Sequence, residues 1–298
     1  MKKKCAIPDR ANGIAKKIII TGDDFGLAGP VNEAIVEAHR TGILTTASLM
    51  VGERFFMDAV ERARQHPSLR VGLHLALVEG RPVSDPRQIP DLINANGVFS
   101  TRLARSGFKF FFQPGIRKQL ETEIRAQFEA FQKTGLALDH VNAHNHMHLH
   151  PTVLGLILRV GKDYGLNAIR VPYEPPFQSW RASRKALASR FTSSIFLWPW
   201  MNLMKRMLRR AQIRHNDFFF GMTESGSLTL NLALRFIANL PDGVTELGFH
   251  PATRRCEEID RAMPRYRHED EFLALTSDSL LRAIRAAGIQ RIAFRDLQ

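Results

Sequence analysis

Short apolar runs alternate along the chain with longer segments in which apolar residues recur every three or four positions. The short runs are typical of strands buried on both faces, and the longer period is typical of amphipathic helices. The short runs predict eight strands, at residues 17–21, 45–51, 70–74, 139–143, 168–171, 217–220, 246–249 and 291–294. The periodic segments predict helices at residues 31–40, 55–66, 116–134, 152–164, 228–240 and 269–287. This order favours a complete or distorted (β/α) barrel, with a doubly wound sheet as the alternative.

Two long insertions interrupt this alternation. Residues 80–115 contain four prolines and predict a long loop after the third strand, of the kind that often forms a lid. Residues 173–215 combine Trp and Phe with many Arg and Lys, and they contain no acidic residue after Glu174. Their most apolar part, residues 195–204, has about half the length of a membrane-spanning helix and is broken by Pro199. We therefore expect a single domain over residues 1–298 that does not span a membrane.

Composition and charge narrow the classes of partner. The apolar content of 44% and charged content of 24% are those of an ordinary folded protein. The 42 Lys and Arg exceed the 29 Asp and Glu by 13, which favours anionic partners such as phospholipid headgroups or nucleic acid. With only Cys5 and Cys256, no disulfide framework is expected. No apolar signal-peptide core follows the basic residues 1–4, so we expect a cytoplasmic protein.

Two adjacent carboxylates, Asp23 and Asp24, follow the first predicted strand in a turn flanked by glycines. Adjacent side chains at a strand end point apart. One carboxylate can therefore bind a metal while the other accepts a proton from water. A solvated Asp-rich turn is the alternative.

Histidines follow three other predicted strands. His74 ends the third strand, His250 follows the seventh, and His144, His146, His148 and His150 alternate after the fourth. An extended backbone would send the alternating imidazoles to one face, whereas a helix would spread them around its circumference. Four clustered imidazoles indicate metal binding by at least one of them, and His144 lies nearest the strand.

The carboxyl ends of barrel strands meet at one mouth, where the active sites of such folds lie. Six candidate residues would converge there: Asp23, Asp24, His74, His144, Arg170 and His250. Two imidazoles and one carboxylate leave coordination positions open for water and substrate. Mixed nitrogen and oxygen ligation does not select sharply between zinc, magnesium and other divalent ions. One divalent metal ion is therefore the expected cofactor.

The motifs TGDDFG at 21–26, GLHL at 72–75, HxHxH at 144–148 and HP at 250–251 resemble those of the YdjC-like carbohydrate deacetylase family. The resemblance covers nearly the whole chain. Within the family it is most similar to members associated with hopanoid biosynthesis, especially in the segment LDHVNAHNHMHLHPTVLGL. The resemblance implies a distorted TIM-like barrel and hydrolysis of the amide of an N-acetylated sugar.

Carried over position by position, the resemblance implies that Asp24, His74 and His144 hold the metal, with His146 and His148 as alternative ligands. Asp23 would be the general base and His250 the general acid. Arg170 would orient Asp23 or the substrate, or form a structural ion pair.

The substrate implied is the N-acetylglucosaminyl headgroup of a bacteriohopanepolyol, which would yield the free amine and acetate. A soluble oligosaccharide such as chitobiose is the alternative. With a lipid substrate, we expect residues 179–210 to contact an anionic membrane peripherally, at its inner face. An ordinary helical cover over the barrel is the other interpretation of this segment.

Two further functions remain open. Two histidines and one carboxylate also form the iron site of non-haem Fe(II) oxygenases, but these enzymes need no base such as Asp23 and use an antiparallel jelly roll. The net charge could also serve nucleic-acid binding. The sequence contains no zinc-finger, RNP or helix-turn-helix motif, so no nucleic-acid partner is expected.

Overall fold

A curled parallel sheet forms the centre of the protein, which a computed structural model describes over residues 16–298. Its strands are β1 (Lys17–Phe25), β2 (Thr46–Leu49), β3 (Arg70–Leu75), β4 (Leu138–Ala143), β5 (Phe218–Phe220), β6 (Val244–Phe249) and β7 (Gln290–Ile292). The strand order is β4-β3-β2-β1-β6-β5, and β7 pairs with the start of β1. The predicted α/β fold with a distorted barrel is confirmed. Cys5 and the basic residues 1–4 lie outside the described residues.

The prediction of a strand at residues 168–171 is wrong, because these residues form no regular strand. This segment forms only isolated bridges, from Ile169 to Val141 of β4 and from Ala168 to Arg214. Pro172 follows directly and has no N–H to continue a ladder. The segment nevertheless lies in the gap between β4 and β5, so it helps to close the curled sheet.

Helices surround the sheet. They are α1 (Gly29–Thr41), α2 (Phe56–Gln65), α3 (Leu103–Phe112), α4 (Pro114–Lys133), α5 (Pro151–Gly161), α6 (Pro176–Ser183), α7 (Leu187–Arg210), α8 (Leu230–Ala238), α9 (Glu257–Ala262), α10 (His268–Leu275) and α11 (Asp278–Ala286). The single helix predicted at 269–287 is two helices, because the Ser277 side chain accepts a hydrogen bond from the Ser279 N–H and begins α11. The short helix α9 was not predicted.

The two predicted insertions contain helices of their own. Residues 80–115 form a loop that ends in α3, and residues 173–215 form α6 and α7. None of the helices within residues 16–298 combines the length and the hydropathy needed to cross a membrane.

Successive side chains of β1 alternate between its two faces, and this alternation explains how a largely apolar strand places polar groups at the mouth of the barrel. Ile18 and Ile20 pack in the main core under the helices, whereas Ile19 packs in a separate small cluster with Phe294. On the face of Ile19, the next two residues are Thr21 and Asp23. The interior of the barrel therefore changes from an apolar plug at the amino ends of the strands to polar groups at their carboxyl ends.

Two glycines make room for side chains inside the barrel. A Cβ at Gly72 would lie 2.5 Å from the His140 ring, and one at Gly248 would lie 2.7 Å from the Phe219 ring. Both glycines precede candidate histidines by two positions, at His74 and His250. Small residues at this level thus allow the neighbouring strands to fill the interior below the mouth.

Candidate metal centre and active site

The end of β1 directs its two adjacent carboxylates to different partners. The pairing of β1 with β2 shifts register between Gly22 and Phe25, and Asp24 in this interval has a left-handed φ of 62°. Aspartate tolerates this conformation better than most residues. Asp23 contacts Arg170, whereas Asp24 Oδ1 lies 3.1 Å from His144 Nδ1. Both carboxylates are buried, and they occupy the same mouth with different surroundings.

Asp24, His74 and His144 lie together, with one potential ligand atom from each within 4.8 Å of the others. His74 Nε2 lies 3.3 Å from Asp24 Oδ1 but forms no hydrogen bond with it. Asp24 Oδ2 likewise has no hydrogen-bond partner within residues 16–298. Buried polar atoms normally have partners, so these atoms are suited to bind an ion.

Asn142 sets the tautomer of His74. The Asn142 amide nitrogen donates to Asp23 Oδ1 at 3.2 Å and to Ser48 Oγ at 2.9 Å, which leaves the amide oxygen as an acceptor. This oxygen lies 2.6 Å from His74 Nδ1, so Nδ1 carries the proton. The Nε2 lone pair then faces the Asp24 carboxylate, and two such atoms repel each other unless a cation lies between them. This arrangement is typical of a metal-binding histidine held by an outer hydrogen bond.

The charges of the site also favour a cation. Arg170 pairs with the buried carboxylates Asp23 and Glu246, and Asp24 is a third buried carboxylate at this mouth, so 3 − 1 = 2 formal negative charges remain. Burial by itself would lower the pKa of His144, but the charge of Asp24, with hydrogen bonds to Asp24 and Glu79, raises it to about 10. Burial would raise the pKa of Asp24, yet His144 holds it well below its usual range. A proton or a metal ion is therefore strongly favoured at this position.

Arg170 links Asp23 to Glu246 inside the barrel. Its Nη1 donates to Asp23 Oδ2 at 2.6 Å, and its Nη2 donates to Asp23 Oδ1 at 3.0 Å. Its Nε and Nη2 also donate to Glu246 Oε1, at 2.9 and 2.6 Å. Burial would raise the pKa of Asp23, but the charge of Arg170 outweighs burial and holds that pKa far below its usual range. Asp23 is therefore ionised and held in one orientation.

His250 lies on the other side of the same mouth. Its backbone N–H donates to Glu271 Oε2 at 2.6 Å, and its carbonyl oxygen lies 2.6 Å from His268 Nδ1. Burial lowers the pKa of His250, although the charges of Asp24 and Asp23 act in the opposite direction. The backbone of His250 is thus fixed, while its imidazole is left to face the cavity.

The predicted alignment of the alternating histidines is wrong beyond His144. The extended backbone ends at Ala143, and Asn145 and His146 have left-handed φ values of 52° and 53°. His146 lines the cavity against Phe219, whereas His148 is fully buried. His150 packs between Phe110 and Phe111, and its ring centroid lies 6.1 and 5.8 Å from theirs. Within this series, only His144 joins the metal cluster.

A cavity of about 390 Å³ opens onto these groups. Asp23, His74, His144 and His250 line one part of it, and Arg265 and Tyr266 line another. This size lies within the usual range of small-molecule sites.

A family model described as YdjC-like protein matches residues 17–286. The chain belongs to the YdjC-like family.

Relatives of this YdjC-like chain include named carbohydrate deacetylases. It is 31% identical to the carbohydrate deacetylase of Brevibacillus brevis over 282 residues, which cover 94% of this chain and 99% of that protein. It is 29% identical to the carbohydrate deacetylase of Geobacillus stearothermophilus over 280 residues, which cover 93% and 96% of the two chains. The similarity therefore extends over nearly the full length of both relatives.

Among solved structures, the YdjC-like chain is similar to a protein assigned to cellobiose-phosphate cleavage from Enterococcus faecalis V583. The TM-score is 0.72 at 24% identity, and the match covers 94% of this chain and 98% of that one. At this identity the likeness supports the fold, which is the curled parallel barrel described above.

Several groups that hold the site of the YdjC-like chain were missed in the sequence. Asn142 and Glu246 stand two and four positions before His144 and His250, on the same faces of β4 and β6. The period of two could therefore have found them. Glu79 and Glu271 follow no such period, because one lies in a loop and the other on α10.

Proposed function

We propose that this YdjC-like chain is a divalent-metal-dependent carbohydrate N-deacetylase, which hydrolyses the acetamide of an N-acetylated sugar to the free amine and acetate. The observation that carries the proposal is the cluster of Asp24, His74 and His144 beside a separately held carboxylate, Asp23, in one cavity. The names of the full-length relatives support the same reaction class.

The metal would be held by Asp24, His74 and His144, while Asn142 keeps the His74 Nε2 lone pair available. A divalent ion in such a site supplies Lewis-acid polarisation of the substrate carbonyl and makes water more acidic. The two imidazole nitrogens favour zinc, whereas magnesium prefers oxygen ligands and would depend on Asp24 and water.

Asp23 accepts the proton of the attacking water. Arg170 keeps the carboxylate ionised and fixes both of its oxygens, so the base is preorganised. A carboxylate with a pKa so far below neutrality is a weak base, and the transfer therefore requires a water that is more acidic than bulk water.

His250 donates a proton to the departing sugar nitrogen. It faces the cavity that Asp23 also lines, and the charges of Asp24 and Asp23 partly offset the burial that lowers its pKa. Glu271 and His268 hold its backbone, which restricts the position of the imidazole relative to the bound amide.

For the substrate, we infer the N-acetylglucosaminyl headgroup of a bacteriohopanepolyol, with a soluble N-acetylated oligosaccharide such as chitobiose as the alternative. The support is the resemblance of the motif segments to family members associated with hopanoid biosynthesis, together with the basic and aromatic composition of residues 173–215. The parallel barrel argues against the oxygenase alternative, whose fold is an antiparallel jelly roll.

The test is mass spectrometry of the N-acetylglucosaminyl lipid and of chitobiose after incubation with the full chain and Zn²⁺ or Mg²⁺. We expect loss of one acetyl mass with wild type and no loss with Asp23→Asn. Asp85→Asn is the matched control, since Asp85 pairs with nearby Arg87 in an exposed loop. If wild type removes no acetyl group from either substrate with any divalent ion, the proposal is wrong.

A further inference from the structure

The amino-terminal half of α7 protrudes from the protein with apolar side chains in solvent. Within residues 187–200 only Arg190 is buried, whereas Phe196 is 74% and Ile195 72% exposed, and the adjacent Trp198 is also exposed. The other half of the helix is anchored in the core through buried Met204 and Leu208. A soluble monomer rarely exposes so many large apolar side chains next to one another, so this half of α7 is suited to contact a partner.

A second exposed apolar surface lies on α3, in the other insertion. Phe108 is 64% and Phe112 60% exposed, and the two rings contact each other with centroids 4.5 Å apart. Phe110 is buried on the opposite side of the helix. The amphipathic pattern of α3 thus leaves these two aromatic rings largely exposed.

The two surfaces share an unusual charge distribution. No acidic residue occurs from 92 to 120 or from 175 to 216. Basic residues lie on both sides of the exposed apolar side chains. They are Arg102, Arg105, Lys109, Arg117 and Lys118 in the first segment and, besides the buried Arg190, Arg181, Arg184, Lys185, Lys205, Arg206, Arg209, Arg210 and Arg214 in the second. Aromatic side chains flanked by long cationic ones are typical of surfaces that lie in the headgroup region of an anionic bilayer.

Both helices pack beside the mouth of the barrel. Phe110 and Phe111 of α3 contact His150, which immediately precedes α5. Helix α7 contacts α5 and the short helical segment His144–Leu149, which begins at the candidate metal ligand His144. The exposed apolar side chains are therefore carried by the elements that surround the candidate site.

We propose that the exposed apolar and basic faces of α3 and α7 form one docking surface for an anionic lipid bilayer, which brings the mouth of the barrel to the membrane. The inference that the substrate is linked to a lipid rests on the proposed function, whereas the inference that the surface binds a bilayer does not. The charged ends of the Lys and Arg side chains contact the anionic headgroups, and the aromatic side chains enter the boundary between the headgroups and the acyl chains.

Charge favours a bilayer over a second copy of the chain as the occupant. The two segments that carry these surfaces are basic and contain no acidic residue, and the whole chain has a formal charge of +13. Two such faces would repel each other, whereas a surface of anionic lipids complements them.

The test is sedimentation of the full chain with vesicles of phosphatidylcholine alone or of phosphatidylcholine mixed with phosphatidylglycerol. Two variants remove the apolar side chains: Ile195→Ser/Phe196→Ser/Trp198→Ser on α7 and Phe108→Ser/Phe112→Ser on α3. Leu273→Ser is the matched control, since Leu273 is 62% exposed but lies on α10, which packs against α1 and α8. Circular dichroism and hydrolysis of chitobiose are measured on the same samples.

We expect wild type and Leu273→Ser to bind the anionic vesicles but not the neutral ones. Each patch variant should bind the anionic vesicles with an affinity at least about tenfold lower. High salt should weaken the binding of wild type. Three results would overturn the docking surface: equal binding by the patch variants, equal binding to neutral vesicles, or a concentration-dependent dimer in which the α7 side chains are buried. Vesicle binding without hydrolysis of any substrate would support the docking surface and contradict the proposed deacetylase.

Discussion

Arg170 donates hydrogen bonds from two nitrogens to the two oxygens of Asp23, with Nη1 2.6 Å from Oδ2 and Nη2 3.0 Å from Oδ1. This paired geometry holds the carboxylate in one plane beside His74, whose Nδ1 lies 3.9 Å from Asp23 Oδ1. A lysine at this position would keep the charge but could not match both oxygens.

Arg170→Lys should therefore lower kcat/KM by about a hundredfold, because the base loses its orientation. Arg170→Gln, which removes the charge as well, should also make the activity sensitive to acid. The charge of Arg170 holds the pKa of Asp23 far below its usual range, so the wild-type carboxylate stays ionised as the pH falls, whereas the carboxylate in Arg170→Gln would be protonated at a higher pH. A pH–rate profile measures this difference. Arg159→Lys, in an exposed pair with Glu121, is the control and should match wild type. An unchanged acidic limb in Arg170→Gln would contradict the assignment of Asp23 as base.

Asn142 is a positioning residue for His74. Replacing it with alanine removes the acceptor that fixes the Nδ1 proton, so we expect the affinity for Zn²⁺ to fall about 10- to 100-fold with the three ligands intact. Competition with a chromophoric chelator measures the affinity independently of activity. Asn167→Ala, at an exposed position, should leave it unchanged. Equal affinity in Asn142→Ala and wild type would mean that His74 needs no such support.

The sequence predicts the position of the site because polar residues that end apolar strands contribute little to packing and more often bind or react. Asp23, Asp24, His74, His144 and His250 each follow a run that only a buried strand can accommodate, and parallel strands bring their carboxyl ends together. The structure brings Asp24, His74 and His144 into one cluster and places Asp23 and His250 around the same cavity.

The features that could not be predicted depend on backbone conformation and on contacts distant in sequence. Alternating histidines look the same in a strand as in a turn, and the left-handed residues Asn145 and His146 are not marked by glycine. Glu271 contacts the backbone N–H of His250, 21 positions away, and backbone contacts leave no pattern of residue types. The segment 168–171 has the composition of a strand but only isolated bridging partners.

Metal binding should release a proton from His144. Since the pKa of this imidazole is raised to about 10 by Asp24 and Glu79 against the effect of burial, an ion that binds His144 at pH 8 must displace its proton. At pH values below this pKa, we expect the affinity for Zn²⁺ to increase about tenfold for each unit by which the pH is raised. Calorimetric titration in buffers of different ionisation enthalpy measures the proton released. His66→Ala is the control, since it removes an imidazole that is hydrogen-bonded to the backbone of α2. An affinity independent of pH between 6 and 8 would exclude His144 as a ligand.

Glu271 should make the stability of the protein depend on pH near neutrality. Burial raises the pKa of its carboxyl from 4.5 to about 7, although hydrogen bonds from the N–H groups of His250 and Leu228 act against the rise. The folded state therefore binds this proton more tightly than the unfolded state does. The stabilisation is fully present below the unfolded pKa of 4.5 and is lost as the pH rises to about 7, by about 3 kcal/mol in total.

Glu271→Gln should remove this component of the pH dependence, because the amide does not titrate. It also leaves one of the two backbone N–H groups without its acceptor, which costs about 1–3 kcal/mol at every pH. Urea unfolding at intervals from pH 4.5 to 7.5 measures both effects, with exposed Glu269→Gln as the control. The free energy of unfolding of wild type should fall relative to that of Glu271→Gln over this range. A constant difference between the two proteins would mean that Glu271 is already ionised in the folded state at pH 4.5, and that its contacts with His250 and Leu228 outweigh its burial.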